Sequence, residues 1–156
     1  MTFIIDGTAG ATFPNGTNPQ AAPSKVLQVV SATYSTQVDT TSGSYVDTGL
    51  TATITPLFST SKILVLVNHQ ISISASSGYG NVALNRAGSN IAVFNVNLIS
   101  GSTAIAVGSA LSYVDSPATT SATTYKTQIQ RVSGGGTFTS QQNGALASIV
   151  LLEIAQ

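Results

Sequence analysis

The chain has 156 residues, 42% hydrophobic and only 6% charged, and its five basic and five acidic side chains cancel. That balance excludes nucleic-acid binding, which needs a cationic surplus, and argues against disorder and against helical bundles, whose wet faces are built from Glu, Lys and Arg. No cysteine is present, so disulfide frameworks, thiolate metal sites and thiol catalysis are excluded as well.

Ser and Thr, roughly a quarter of the residues, take over the polar role that charge usually fills. A small protein of zero net charge tends to associate, which points to a place in an assembly. The start, Met1-Thr2-Phe3-Ile4-Ile5-Asp6, lacks the basic region and long apolar run of a signal peptide. The longest apolar run, Ile63-Leu64-Val65-Leu66-Val67, is far short of a bilayer crossing, so no membrane partner is expected.

Residues 1–24 read as an arm or linker, and residues 25–156 as the domain. The arm opens on a short strand, Thr2-Phe3-Ile4-Ile5, and continues through turn formers to Phe13 and Pro14-Asn15-Gly16. Its apolar residues need a surface, which is either the domain's own sheet or a neighbouring subunit. From Lys25 the pattern is β. Val26-Leu27-Gln28-Val29-Val30 reads as a buried strand, and Leu50-Thr51-Ala52-Thr53-Ile54-Thr55 alternates apolar with Thr.

The segment 62–75 places Ile63, Val65, Val67, His69, Ile71 and Ile73 on one face. Its other face passes from Leu64 and Leu66 to Asn68, Gln70 and Ser72, as in a strand half-covered by a further layer. Val82-Ala83-Leu84-Asn85-Arg86 and Ile91-Ala92-Val93-Phe94 flank a Gly-containing hairpin turn. Strands are expected again at 110–114, at Tyr125-Lys126-Thr127-Gln128-Ile129, and at Ser148-Ile149-Val150-Leu151-Leu152-Glu153-Ile154. Seven to nine strands with regular turns predict an all-β, single antiparallel β-sandwich, jelly-roll-like in its preferred form and immunoglobulin-like in the alternative. Edge strands are normally guarded by Lys; only Lys25, Lys62 and Lys126 are available here.

Chemistry is scarce. A Ser nucleophile needs a base, and the sole His, His69, is in phase with apolar residues, so it reads as a hydrogen-bonded interior group. The carboxylates Asp6, Asp39, Asp47, Asp115 and Glu153 are too few to support acid–base work, and Asp47 and Asp115 read as turn caps. No catalytic residue, metal ligand or cofactor is assigned. Gly78-Tyr79-Gly80 and Gly134-Gly135-Gly136 lack the spacing of phosphate loops and read as flexible loop tips, the places where binding would concentrate.

Several strings then fall in a recognisable order. They are Ser24-Lys25-Val26-Leu27-Gln28-Val29-Val30, Ser44-Tyr45-Val46-Asp47-Thr48-Gly49-Leu50, Ser61-Lys62-Ile63-Leu64-Val65, Leu84-Asn85-Arg86-Ala87-Gly88-Ser89-Asn90-Ile91, and the ending Ile149-Val150-Leu151-Leu152-Glu153-Ile154. Their succession resembles that of a family of tailed-bacteriophage virion proteins of marine and cyanobacterial phages. The resemblance implies a β-sandwich that assembles, usually as a homotrimer, on the outer surface of a particle, with no catalytic residues.

The expected function is that of a non-enzymatic capsid decoration or cement protein, partnered by the major capsid protein or other virion proteins. Its interface candidates are Thr2, Phe3, Ile4, Ile5, Phe13, Val26, Leu27, Val29 and Val30. The alternative is a tail-fibre or head-fibre tip that binds a host glycan through the loops around Gly78, Tyr79 and Gly80 and around Gly134, Gly135 and Gly136.

Overall fold

The computed structural model describes residues 4–6, 10–12, 25–74, 78–98 and 105–156, with 4–6, 10–12 and 95–98 described as backbone alone. In the arm, β1 (Ile4–Asp6) and β2 (Gly10–Thr12) pair antiparallel with each other and with no other described strand. The body contains β3 (Val26–Tyr34), β4 (Val38–Thr40), β5 (Val46–Ile54), β6 (Lys62–Ile73), β7 (Gly78–Arg86), β8 (Ser89–Leu98), β9 (Ile105–Asp115), β10 (Thr123–Gly134), β11 (Phe138–Ser140) and β12 (Ala147–Ile154). A single 3-10 turn, Gln142–Gly144, is the one helical piece among the described residues. No helix there is long and apolar enough to cross a membrane.

Pairing reduces these to eight strand positions. β12 lies against β6 over residues 62–68, and β11 lies against the same strand over residues 71–73. β3 flanks β12, and β4 flanks β11. So β3 and β4 are one strand interrupted at residues 35–37, and β11 and β12 are one strand interrupted at residues 141–146, where Gln141 takes a left-handed backbone at φ 54°. β9 pairs along the whole of β6 on its other side. The first sheet therefore runs β3/β4, β11/β12, β6, β9, and the second runs β5, β10, β7, β8. In order along the chain this is 1-8-3-6 packed on 2-7-4-5. All the pairings are antiparallel, as in the two interlocked Greek keys of a jelly roll. The expected fold class is borne out.

Alternation builds the core. Leu50, Ala52 and Ile54 from β5, Ile63, Val65 and Val67 from β6, Leu84, Tyr125, and Ala147, Ile149 and Leu151 from β12 form one buried cluster. Ile71, Ile73, Val82, Ile129 and Phe138 form a second. Between them along β6 and β10 lie His69 and Thr127, so the core is two apolar blocks separated by a polar layer.

Four expectations need correcting. The run beginning at Val26 is not a strand buried on both faces: β3 is an edge strand, with Val26 and Val29 exposed and Val30, Ala32 and Tyr34 packed on the core. Asp47 and Asp115 are not turn caps but strand residues, each holding a basic side chain. The outer face of β6 carries no further layer among the described residues, and Leu66 is exposed.

Finally, the first glycine segment is not a loose tip, whereas Gly135 and Gly136 do lie in the turn that follows β10. Gly78, Tyr79 and Gly80 belong to β7, and Gly78 pairs with Gly134, the last residue of β10. Gly80 is required by close approach. A Cβ there would lie 2.5 Å from the Gln130 carbonyl oxygen and 2.7 Å from the Phe138 ring. Gly80→Ala is expected to cost about 1–3 kcal/mol by overpacking, seen as a lower urea midpoint with an unchanged slope.

Candidate functional site

Three groups of side chains carry the chemistry of this molecule. The first is the polar layer. His69, 1% exposed, places Nε2 2.8 Å from Thr127 Oγ1 and Nδ1 3.1 Å from Ser140 Oγ. The Gln141 amide nitrogen, a donor, lies 3.3 Å from Nδ1. The network then assigns Nδ1 as acceptor and Nε2–H as donor to Thr127, whose hydroxyl meets Thr48 Oγ1 at 2.6 Å. Burial pushes the imidazole pKa down to about 4, so the ring is neutral at physiological pH. Ser140 and His69 have the spacing of a nucleophile and its base, yet both are sealed inside and no carboxylate hydrogen-bonds to the ring. Their placement matches the interior role expected of His69.

The second group is made of separated carboxylates. Asp115, at the end of β9, accepts two hydrogen bonds from Arg86 Nη1, both 2.7 Å, and one from the Tyr125 hydroxyl at 2.6 Å. Arg86 and Tyr125 belong to the second sheet, so the cluster ties the two sheets together at that end. Glu153 is fully buried on β12. It accepts from the backbone N–H of Leu57 at 2.8 Å and of Phe58 at 3.3 Å, and from the Gln28 amide. Burial by itself raises this carboxyl; the hydrogen bonds from Gln28, Leu57 and Phe58 outweigh it and hold the group below its usual range. Asp47 is bound by Lys126 and Gln128, and Asp39 by Gln37 and Thr139. No two of these share a partner, and no group of three potential metal ligands occurs among the described residues.

The third group is a surface. Register places Val29, Leu152, Leu64 and Val114 side by side across all four strands of the first sheet, pointing outward. Val29 is 58% exposed and Val114 60%. The next rung adds Val150 and Leu66; the one before it adds Val26 and Ile154. Lys62 is the one charged side chain on these three rungs. At the same end of the sandwich the β5–β6 loop presents Leu57 and Phe58, 59% and 56% exposed, on a backbone that Glu153 fixes. The rung of Val150 and Leu66 is closed at its two ends by Ser31 and Ser112, so the apolar face is centred on Val29, Leu152, Leu64 and Val114.

The outer face of the second sheet is the opposite in character. Asn81, Asn85, Gln128 and Gln130 form an amide ladder: the Asn81 amide donates to Tyr45 Oη and Gln130 Oε1, and the Asn85 amide to Asn90 and Gln128.

The interface candidates from the sequence therefore divide. Val26 and Val29 lie on the apolar face, Leu27 sits at a bulge opposite the Glu153–Ile154 step, and Val30 faces the core. Ile4 and Ile5 pair within the arm hairpin. Thr2, Phe3 and Phe13 lie outside the described residues. Of the loop candidates, Gly78, Tyr79 and Gly80 come together with Gly134 on adjacent strands, and Tyr79 is exposed; Gly135 and Gly136 follow the end of β10. Sequence reading missed Leu152, Leu64 and Val114 as one rung, because register across strands is not written in any single strand.

No family model matches the chain, and no curated protein does. Among 14 solved chains that match is one from the structure of infectious bursal disease virus, Gx strain, with a TM-score of 0.45 and 12% identity. The match covers 84% of this chain and 39% of that one, so this chain spans well under half the length of its neighbour. A likeness of that size transfers no function.

Proposed function

We propose that this protein is a non-enzymatic structural subunit of a virion, and specifically a capsid decoration protein of a tailed bacteriophage. The observation that carries the reading is the uncharged apolar rung of Val29, Leu152, Leu64 and Val114, a surface suited to permanent burial. The resemblance of its motif order to that of phage virion proteins points the same way, as does the sealing of the His69–Ser140 pair away from any substrate. On a capsid, trimers at local three-fold positions would tie neighbouring capsomers together through this face and resist internal pressure.

Copy number tests it. Quantitative mass spectrometry of purified particles is expected to find hundreds of copies, on the order of one per capsid subunit. A few to some tens would sink decoration. Particles lacking the protein are expected to release DNA at a lower temperature while still adsorbing to cells.

A fibre tip is the second reading. It is favoured by the exposed Tyr79 at the end of the amide ladder, an arrangement suited to stacking and hydrogen bonding with a host glycan. It predicts the reverse phenotype, intact particles that fail to adsorb.

A further inference from the structure

We propose that the outer edge of β9 pairs antiparallel with β9 of a second copy of this chain, about a two-fold axis at Ala110. The contact goes beyond the virion reading and needs nothing from it: an added strand extends the first sheet sideways and leaves its outer face open.

The four edge strands are not alike. β3 and β5 bound one side of the sandwich, and β9 and β8 bound the other. Strand edges are normally blunted by charge, by bulges or by short length. β3 follows Lys25, is bulged at Leu27 and is interrupted before β4, which carries Asp39. β5 carries Asp47 and bulges between Asp47 and Thr51, where Gly49 has φ 86°. β8 is bulged at Ile91. β9 has none of these devices. Its 11 residues, Ile105 to Asp115, pair with β6 without a register shift. No charged residue and no proline lies between Arg86 and Asp115. Alternate residues of β9 turn their N–H and C=O groups away from β6, and no described strand meets them. Ile105, Val107, Leu111 and Tyr113 face the core yet stay half-buried, because the sheet stops beside them.

Within one chain, no described strand is available to cover this edge. β1 and β2 are 3 residues each and pair only with each other. Residues 13–24 contain Pro14, Pro19 and Pro23, which have no N–H to give to a ladder.

β9 fits its own copy. Centred on Ala110, a two-fold axis pairs every residue of the strand. On the outward face Ala110 meets Ala110, Gly108 meets Ser112 and Ala106 meets Val114, with no bulk and no charge to clash. On the inward face Tyr113 meets Val107 and Leu111 meets Ser109, large beside small. The one charge, Asp115, is held by Arg86, and its two copies fall at opposite ends of the contact. Zero net charge leaves little to keep copies apart.

The area suffices. A strand of this length runs about 36 Å, and the flank of two stacked sheets is about 15 Å deep. Two such strips bury roughly 1,100 Å² together, just above the ~1,000 Å² expected of a biological contact. Between three-fold units on a particle, this is the contact that would join neighbours.

Sedimentation of the purified full-length protein is expected to give an even number of chains per particle. Ala110→Lys, exposed on the outward face, sets two ammonium groups opposite each other at the axis. It is expected to halve that number while leaving the circular dichroism spectrum unchanged. The chain has no native cysteine, so Ala110→Cys gives a second reading. Under mild oxidation it is expected to link to its own copy several-fold more than Ser31→Cys, exposed on β3 at the opposite edge. A monomer or an odd number of chains would overturn the proposal. So would a particle mass that Ala110→Lys leaves unchanged, or equal linkage at the two cysteine positions. Where Ala110→Lys fails to fold, the cysteine comparison decides. All of this is read on purified protein, whereas the virion role is read from copy number in particles, so each can fail without the other.

Discussion

Asp115→Ala is expected to lower the free energy of unfolding by about 3 kcal/mol, measured by urea denaturation at pH 7.5. The physical reason is the company Asp115 keeps. Its carboxylate is nearly buried and satisfies both the Arg86 guanidinium and the Tyr125 hydroxyl, from the facing sheet. Removing it leaves a buried hydroxyl without an acceptor and a cation without its counter-ion. Arg86 retains 30% exposure and can turn to water, which places the cost at the lower end of the range for broken buried pairs. Tyr125→Phe deletes one hydrogen bond to a charged group and should cost about 1.5–3 kcal/mol. The double replacement Arg86→Met/Asp115→Leu should cost less than the two single replacements added together, because no charge is then left without its partner. Additive costs would show that the cluster does not act as a unit.

His69 gives the second large effect, and its sign is fixed by burial. The ring has a pKa of about 4 in the folded protein against an ordinary value of 6.5, so the unfolded chain binds the proton first. Stability is fully present above pH 6.5 and is lost as pH falls toward 4. A shift of that size is worth roughly 3 kcal/mol at 1.36 kcal/mol per pH unit. Asp47 and Glu153, both held below their ordinary values, contribute losses only at lower pH. Unfolding measured between pH 7.5 and 5.5, above the range in which the carboxylates titrate, therefore isolates the imidazole. His69→Gln should flatten the profile over that window; an unchanged slope would show that the ring is not the group responsible.

Much of the architecture was legible in single strands. Leu50-Thr51-Ala52-Thr53-Ile54 showed its inward face directly, because Thr supplied an unambiguous wet side. The same phase argument placed His69 inside. Asp115 was equally open to it, since it continues the inward phase of its strand after Tyr113, but an acidic residue beside a turn was read as a cap. Val29 was misread for a different reason. A run of apolar residues looks the same in a strand buried on both faces and in an edge strand whose outer face is exposed. The glycines at 78 and 80 were misread as flexible because close packing against Ile73 and Phe138 depends on partners distant in sequence. Register, and with it the apolar rung, depends on which strands are neighbours, and no one segment encodes that.

The strand order sets a schedule for synthesis. β12 lies between β3 and β6, yet it is the last of these strands to leave the ribosome. Until it emerges, β3 has no partner among the described strands, and β6 lacks its neighbour on one side. The domain cannot close progressively from its N-terminal end; it must wait for its most C-terminal strand and then complete a pairing between residues as far apart as Val26 and Ile154. Such non-local closure is slow, and it leaves apolar strand edges open for as long as translation lasts. A chain of this topology made in large amounts depends on rapid completion or on protection while nascent, and truncation before residue 147 should yield insoluble protein rather than a smaller domain.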